Sequence, residues 1–182
     1  IEYLKKGMNL TRPSLIELEA AELITDLIPS ADMVKFTKNG STAVTAAVKL
    51  ARAYTGRKKV AICADHPFFS YDDWFIGTTP MSKGVLEEDS NFTKTFKYND
   101  IGSLEKLISE NTSEIACVIL EPLAVDCPSV PQAQGGCCGQ SICSRAINSN
   151  YTFLHKVQEL CKKNGIVFIL DEMITGFRWG LA

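Results

Sequence analysis

Val167-Phe168-Ile169-Leu170-Asp171-Glu172 runs four apolar residues straight into two carboxylates. Nothing in this stretch alternates. A strand built from it is covered on both faces, as in a parallel sheet between helices, rather than wet on one side. Working back along the chain, 115–120 is a second continuous apolar run, and it ends at Glu121-Pro122. Residues 59–64 and 92–98 read as two more strands, and 33–37 as a short one.

Helical patterns fill the intervals. Leu15, Leu18, Leu23 and Leu27 recur at helical spacing over 14–28, and Pro29 follows. Residues 42–54 are Ala/Val-rich and closed by Gly56; 103–109 and the amphipathic 151–164, stopped by Gly165, complete the set. Strands that alternate with helices imply a three-layer α/β/α fold with a mostly parallel sheet.

The bulk composition agrees and excludes some functions. With 46% apolar and 22% charged residues the 182-residue chain is ordinary globular material, long enough for a core without staples. A net charge of −2, with Lys and Arg dispersed, argues against nucleic acid as a partner. No apolar run approaches the roughly 20 residues that span a bilayer, so no membrane role is expected. Without a signal-peptide pattern at Ile1-Glu2-Tyr3, and with Cys63, Cys117 and Cys161 in apolar segments, the reduced, cytoplasmic reading is the simpler one.

Function first shows at the ends of the strands. Asn39-Gly40-Ser41, the loop at His66, Glu121 and Asp171 each come directly after a predicted strand. In open α/β sheets, ligands bind at the carboxyl ends of the strands, so these four segments converge on one edge. Each has a bland reading beside a chemical one. Gly40-Ser41-Thr42 joins a strand to a helix, which is an ordinary N-cap or a phosphate site made of free N–H groups and hydroxyls. Phe68-Phe69-Ser70-Tyr71-Asp72-Asp73-Trp74 is a core plug or a stacking face for a flat heteroaromatic ring. Glu121 is a salt-bridged strand-end acid or part of a site. Asp171 is a cap, a magnesium-holding acid of a nucleotide hydrolase, or the partner of a protonated pyridine nitrogen. The hydrolase also needs G-x-x-x-x-G-K-[ST], and Gly40-Ser41 lacks its first glycine and its lysine.

The stretch 123–150 is rich in Pro, Gly, Ser and Cys and has no periodicity, so it reads as an irregular surface excursion. Cys127, Cys137, Cys138 and Cys143 lie in it without a C-x-x-C pair, and adjacent cysteines are poor joint ligands of one tetrahedral ion. No metal is expected there.

Four segments together resemble the class III aminotransferases, enzymes dependent on pyridoxal 5'-phosphate (PLP), and within them the glutamate-1-semialdehyde aminomutase-like branch. Residues 34–43, with Asn39-Gly40-Ser41-Thr42-Ala43, are similar to the family's strand and its "SGTEA" or "GSEA" phosphate turn. Residues 50–57 nearly repeat "LARAYTGR", Ile119-Leu120-Glu121-Pro122 matches "ILEP", and 170–178 is similar to "FDEVMTGFR". The ordered set covers nearly the whole chain apart from the excursion, and its order is what makes it specific.

The resemblance implies a PLP-dependent aminotransferase or aminomutase acting on an amino acid or an amino-aldehyde or keto substrate. It implies that Gly40 and Ser41 bind the PLP phosphate and that Phe68 stacks on the ring. Asp171 would pair with the pyridinium as the catalytic carboxylate, Met173 would pack on the ring's other face, and Glu121 would support the cofactor. Departures are plain: Thr42 stands where the family has Glu, Phe68-Phe69-Ser70 replaces Tyr-His-Gly, and the excursion replaces a short stretch after "EP". The family's Schiff-base lysine falls beyond Ala182, and Lys38 reads as a solvated turn residue. Residues 1–182 are therefore expected to be part of the PLP-binding large domain, without turnover alone, from a homodimeric enzyme. A nucleotide hydrolase and a non-catalytic module that keeps the fold are the two rival readings.

Overall fold

The computed structural model describes residues 2–5, 14–65, 68–123 and 152–178. In chain order the elements are α1 (Glu2–Lys5), α2 (Leu15–Leu27), α3 (Gly40–Thr55), β1 (Lys59–Cys63), α4 (Asp73–Ile76), α5 (Glu87–Asn91), β2 (Thr93–Phe96), α6 (Ile101–Glu110), β3 (Ile115–Leu120), α7 (Phe153–Asn164) and β4 (Val167–Leu170).

The four strands form one parallel sheet in the order β2-β1-β3-β4. On one face Leu104 and Ile108 of α6 and Phe153, Val157 and Cys161 of α7 pack against Ala61, Val118 and Leu120. On the other, Val44, Val48 and Ala51 of α3, with Trp74 and Phe75 of α4, pack against Val60, Ile62, Cys117 and Ile119. All six β3 residues are buried, so that unalternating run is covered on both faces. β4, expected to be covered likewise, is instead the edge of the described sheet, its residues only partly buried and Leu170 41% exposed, because β3 alone flanks it. The steps β2 to β3 and β3 to β4 use α6 and α7 on one face. The step β1 to β2 goes the opposite way and uses α4 on the other face, as right-handed crossovers demand. Direction reverses between β1 and β3, and their carboxyl ends frame the crevice where such sheets bind ligands.

Helix α3 sets the site. Asn39 caps it, its side chain accepting from the Thr42 amide at 2.9 Å, and Gly56 ends it at φ 69°, donating to the Arg52 carbonyl. The end near Gly56 is tied to the amino ends of the strands. Arg52 Nε donates to the Lys58 carbonyl at 2.8 Å, and one Arg57 nitrogen donates to the carbonyls of Ile115 (3.1 Å) and Asn164 (3.0 Å). Sixteen helical residues rise about 24 Å and six strand residues about 20 Å, so the start of α3 reaches the carboxyl edge of the sheet.

One expected element is absent as such. Residues 33–37 form neither helix nor strand, and no described strand pairs with them; Met33 is 90% exposed and Phe36 is exposed too. A strand is made by its ladder, and apolar β-formers without a neighbour remain a connector. The helix expected at 42–54 also begins earlier, at Gly40, because Asn39 rather than Ser41 takes the capping position. Residues 124–150, with their four cysteines, and His66 lie outside the described residues. Among the described residues no helix is long and apolar enough to cross a membrane.

Candidate active site

At the first turn of α3, the Thr42 amide is spent on Asn39, while the amides of Gly40 and Ser41 take no acceptor among the described residues. A Cβ at Gly40 would meet nothing within 4 Å, so the approach to this backbone is open. Both readings of the turn hold at once: Asn39 is an ordinary cap, and two N–H groups remain for an anion at the positive end of a 16-residue helix. The Ser41 hydroxyl accepts from the Tyr71 amide at 3.2 Å, which leaves its proton to donate elsewhere.

The aromatic loop divides along the same lines. Phe69, Trp74 and Phe75 are buried in the core, as a plug would be. Phe68 is 38% exposed and Tyr71 is exposed. The Phe68 ring meets Tyr71 edge-on at 4.8 Å and Phe75 at 5.6 Å, which fixes its orientation and leaves part of it accessible.

Glu121 and Asp171 end adjacent parallel strands. Leu120 faces Leu170 in register, so the two acids leave the sheet side by side. Glu121 is buried; desolvation first, and the neighbouring Asp171 charge second, push its carboxyl above the ordinary range. Asp171 Oδ1 accepts from the Met173 amide at 3.0 Å, a strand-end cap, and its other oxygen takes nothing from the described residues. Met173 itself is 70% exposed on the adjoining turn.

The structure thus brings Glu121 together with Asp171, and Ser41 together with the loop that carries Phe68. Sequence reasoning missed two groups that brace this edge. Asp65 Oδ2, just past β1, accepts from the Tyr98 amide at 3.1 Å, and the Tyr98 hydroxyl donates to the Pro122 carbonyl at 2.7 Å. Thr45 and Ser70, both buried, bond one another between α3 and the aromatic loop. A hydroxyl at a core-facing position of an Ala/Val-rich helix was the available signal for Thr45. His155 is a capping residue: the Thr152 amide donates to its Nδ1 at 3.1 Å. Among the described residues no group of three or more His, Cys, Asp or Glu side chains is placed to hold a metal ion.

The sequence profile of the family described as aminotransferase class-III matches residues 8–180. Among curated proteins, the chain is 37% identical over 181 residues to a glutamate-1-semialdehyde 2,1-aminomutase of Alkaliphilus oremlandii, covering 95% of this chain and 39% of that protein. It is 35% identical to the enzyme of the same name from Chlorobium phaeobacteroides, covering 98% and 39%. The chain therefore spans about two fifths of the length of these relatives. Among solved structures, the PLP internal aldimine form of the FumI protein of a Sphingopyxis species superposes with a TM-score of 0.74 at 28% identity, over 97% of this chain and 38% of that one. An omega-transaminase from Sphaerobacter thermophilus gives 0.74 at 27%, over 96% and 39%.

Proposed function

Since this chain belongs to the class-III aminotransferases, we propose that it forms the cofactor-binding part of a PLP-dependent aminotransferase or aminomutase. Its substrate class is an amino acid or an amino-aldehyde or keto compound, as amino donor and acceptor. The observation that carries this reading is the shared carboxyl edge of the sheet. There, two open amides at the start of α3 stand with a pair of acids ending β3 and β4. The rival hydrolase lacks its phosphate loop, and the family match leaves it without support.

The residues present fit the cofactor. The amides of Gly40 and Ser41, with the Ser41 hydroxyl, are donors for a phosphate dianion, and no Cβ blocks the approach at Gly40. Phe68 offers a ring held by Tyr71 and Phe75 to lie against a flat heterocycle. The uncommitted oxygen of Asp171 can hold a proton on a pyridine nitrogen. Bound PLP supplies an electron sink for bond breaking at the substrate's α-carbon. Glu121, buried beside Asp171 and with its carboxyl pushed upward by burial first and the Asp171 charge second, is read as the supporting group, and Asp171 as the carboxylate that meets the ring. Met173 lies on the adjacent turn and is exposed to whatever occupies the edge.

The intact enzyme is read as a cytoplasmic homodimer. The family resemblance supports the dimer, and so do Leu15, Leu18, Leu23 and Leu27, all exposed on α2, which has no buried residue. The direct test is to add PLP to the purified full-length protein. A visible absorbance band that borohydride abolishes is expected, and a protein that stays colourless would sink the reading. Sedimentation of the same sample checks the dimer.

A further inference from the structure

Behind the candidate site runs a chain of hydrogen bonds between buried side chains. Trp74 Nε1 only donates, and it reaches Thr45 Oγ1 at 3.0 Å. Thr45 Oγ1 stands 2.9 Å from Ser70 Oγ. Ser70 Oγ donates to the Ser41 carbonyl at 3.4 Å, and a carbonyl only accepts. When Ser70 spends its one proton on the Ser41 carbonyl, the Thr45 hydroxyl is the donor to Ser70. The chain then reads Trp74 N–H to Thr45 O–H to Ser70 O–H to the Ser41 carbonyl, with every proton used once. Ser70 Oγ also accepts from the Asp72 amide at 3.1 Å, and Thr93 Oγ1 donates to the Trp74 carbonyl. Thr45, Ser70, Trp74 and Thr93 are all buried, so a polar group that loses its partner here is costly to strand.

The two ends of this chain matter. One is the backbone of Ser41, whose hydroxyl is held separately by the Tyr71 amide. The other is the loop whose exposed ring, Phe68, rests on Tyr71 and Phe75. We propose that Thr45 and Ser70 are positioning residues of the cofactor site, holding the anion-binding turn at Ser41 and the ring face at Phe68 at one fixed spacing. This inference rests on the cofactor-binding reading above. Neither residue touches the cofactor; each acts through Ser41 and the loop. A ligand that spans both subsites gains from their fixed spacing, while a ligand that fills one gains little, because preorganisation is worth most where two contacts must be made together.

The experiment titrates the full-length protein with PLP and, separately, with pyridoxal, which lacks the phosphate. Thr45→Val keeps the shape of the side chain and removes the hydroxyl. It is expected to weaken PLP roughly tenfold, the scale of one buried hydrogen bond, and to weaken pyridoxal much less. Thr45→Ser, which restores the hydroxyl, is expected to bind PLP like the parent. Should Thr45→Val not fold, Ser70→Ala breaks the next link and is expected to give the same pattern. A Thr45→Val protein that binds PLP like the parent overturns the inference, and so does an equal loss for both ligands, which marks general damage. If the parent itself takes up no PLP, the cofactor reading fails and carries this inference with it. A parent that binds beside an unimpaired variant sinks the inference alone.

Discussion

The backbone N–H of Asp171 donates to the carbonyl of Leu120 at 3.0 Å. That bond carries the β3–β4 ladder past its last paired residues, Leu120 and Leu170, and so sets the Glu121 and Asp171 side chains next to one another. Two acids share one sheet edge, and only Glu121 is buried.

The first prediction concerns what that juxtaposition costs the folded chain. The Glu121 carboxyl is raised by burial and by the Asp171 charge, so the folded chain binds this proton more tightly than the unfolded one. Its stabilising contribution is complete below the unfolded value, about 4.3, and is lost as the pH rises through the folded one. Glu121→Gln is therefore expected to be more stable than the cofactor-free parent at pH 7, with the gap closing toward pH 4. Denaturant titrations across that range check it; a gap that does not change with pH would assign the effect to packing alone.

Two glycines of α3 separate backbone cost from site chemistry. Gly56 sits at φ 69°, yet a Cβ there meets nothing within 4 Å, so Gly56→Ala charges only the left-handed backbone, about 1 kcal/mol. Gly40 has equally open space and lies in the first helical turn without a positive φ. Gly40→Ala is expected to leave stability unchanged or slightly better, while adding a methyl where the proposed site takes a phosphate and so weakening PLP. Chemical denaturation and PLP titration of both variants give the comparison; a stability loss at Gly40 equal to that at Gly56 would contradict it.

The two-faced burial of 115–120 was legible because unalternating apolar runs have few other homes in a chain of this composition, and it became a central parallel strand. The run 167–170 has the same pattern yet forms the edge of the described sheet, only partly buried, because local sequence does not say how many neighbours a strand has. The carboxyl-edge placement of Glu121 and Asp171 came from strand polarity. The stretch 33–37 misled because its residues favour strands while pairing depends on a neighbour that local sequence does not encode. The Thr45–Ser70 bond was illegible for a related reason. Its partners are 25 residues apart, and a lone hydroxyl in a helix or loop looks the same whether it faces water or another hydroxyl. Phe68 and Phe69 look alike in sequence, yet one is exposed and the other buried, since a loop has no period to sort them.

A further prediction tests the described thiols. Burial raises Cys63 to about 11 and both Cys117 and Cys161 to about 12. A thiolate is the reactive form, so all three are expected to resist alkylation at pH 7.5 in the native protein and to react fully in denaturant. Peptide mapping after a timed iodoacetamide pulse checks it, and native labelling of Cys117, fully enclosed in β3, would be the clearest contradiction.

The last prediction separates capturing the cofactor from using it. In the proposed site, affinity for PLP comes from its phosphate at Gly40 and Ser41 and from ring burial, and neither needs Asp171. The chemistry needs the pyridine nitrogen protonated, and the uncommitted oxygen of Asp171 is the group placed to keep it so. A neighbouring carboxylate raises such a nitrogen by about 1–3 pKa units, so losing about 2 removes roughly 2.7 kcal/mol of preference for the protonated ring. If that difference reaches the barrier, Asp171→Ala in the full-length enzyme slows a single turnover about a hundredfold while PLP affinity changes far less. Because Asp171 Oδ1 also caps the turn at Met173, Asp171→Asn is the necessary companion. It keeps an acceptor for that amide and loses the charge, so it should match Asp171→Ala in rate while retaining more stability. Ser41→Ala should do the reverse, loosening PLP and sparing the saturated rate. PLP affinity measured beside the single-turnover rate of amine transfer tells these apart. An Asp171→Asn enzyme that turned over at the parent rate when saturated with PLP would reduce Asp171 to a strand-end cap.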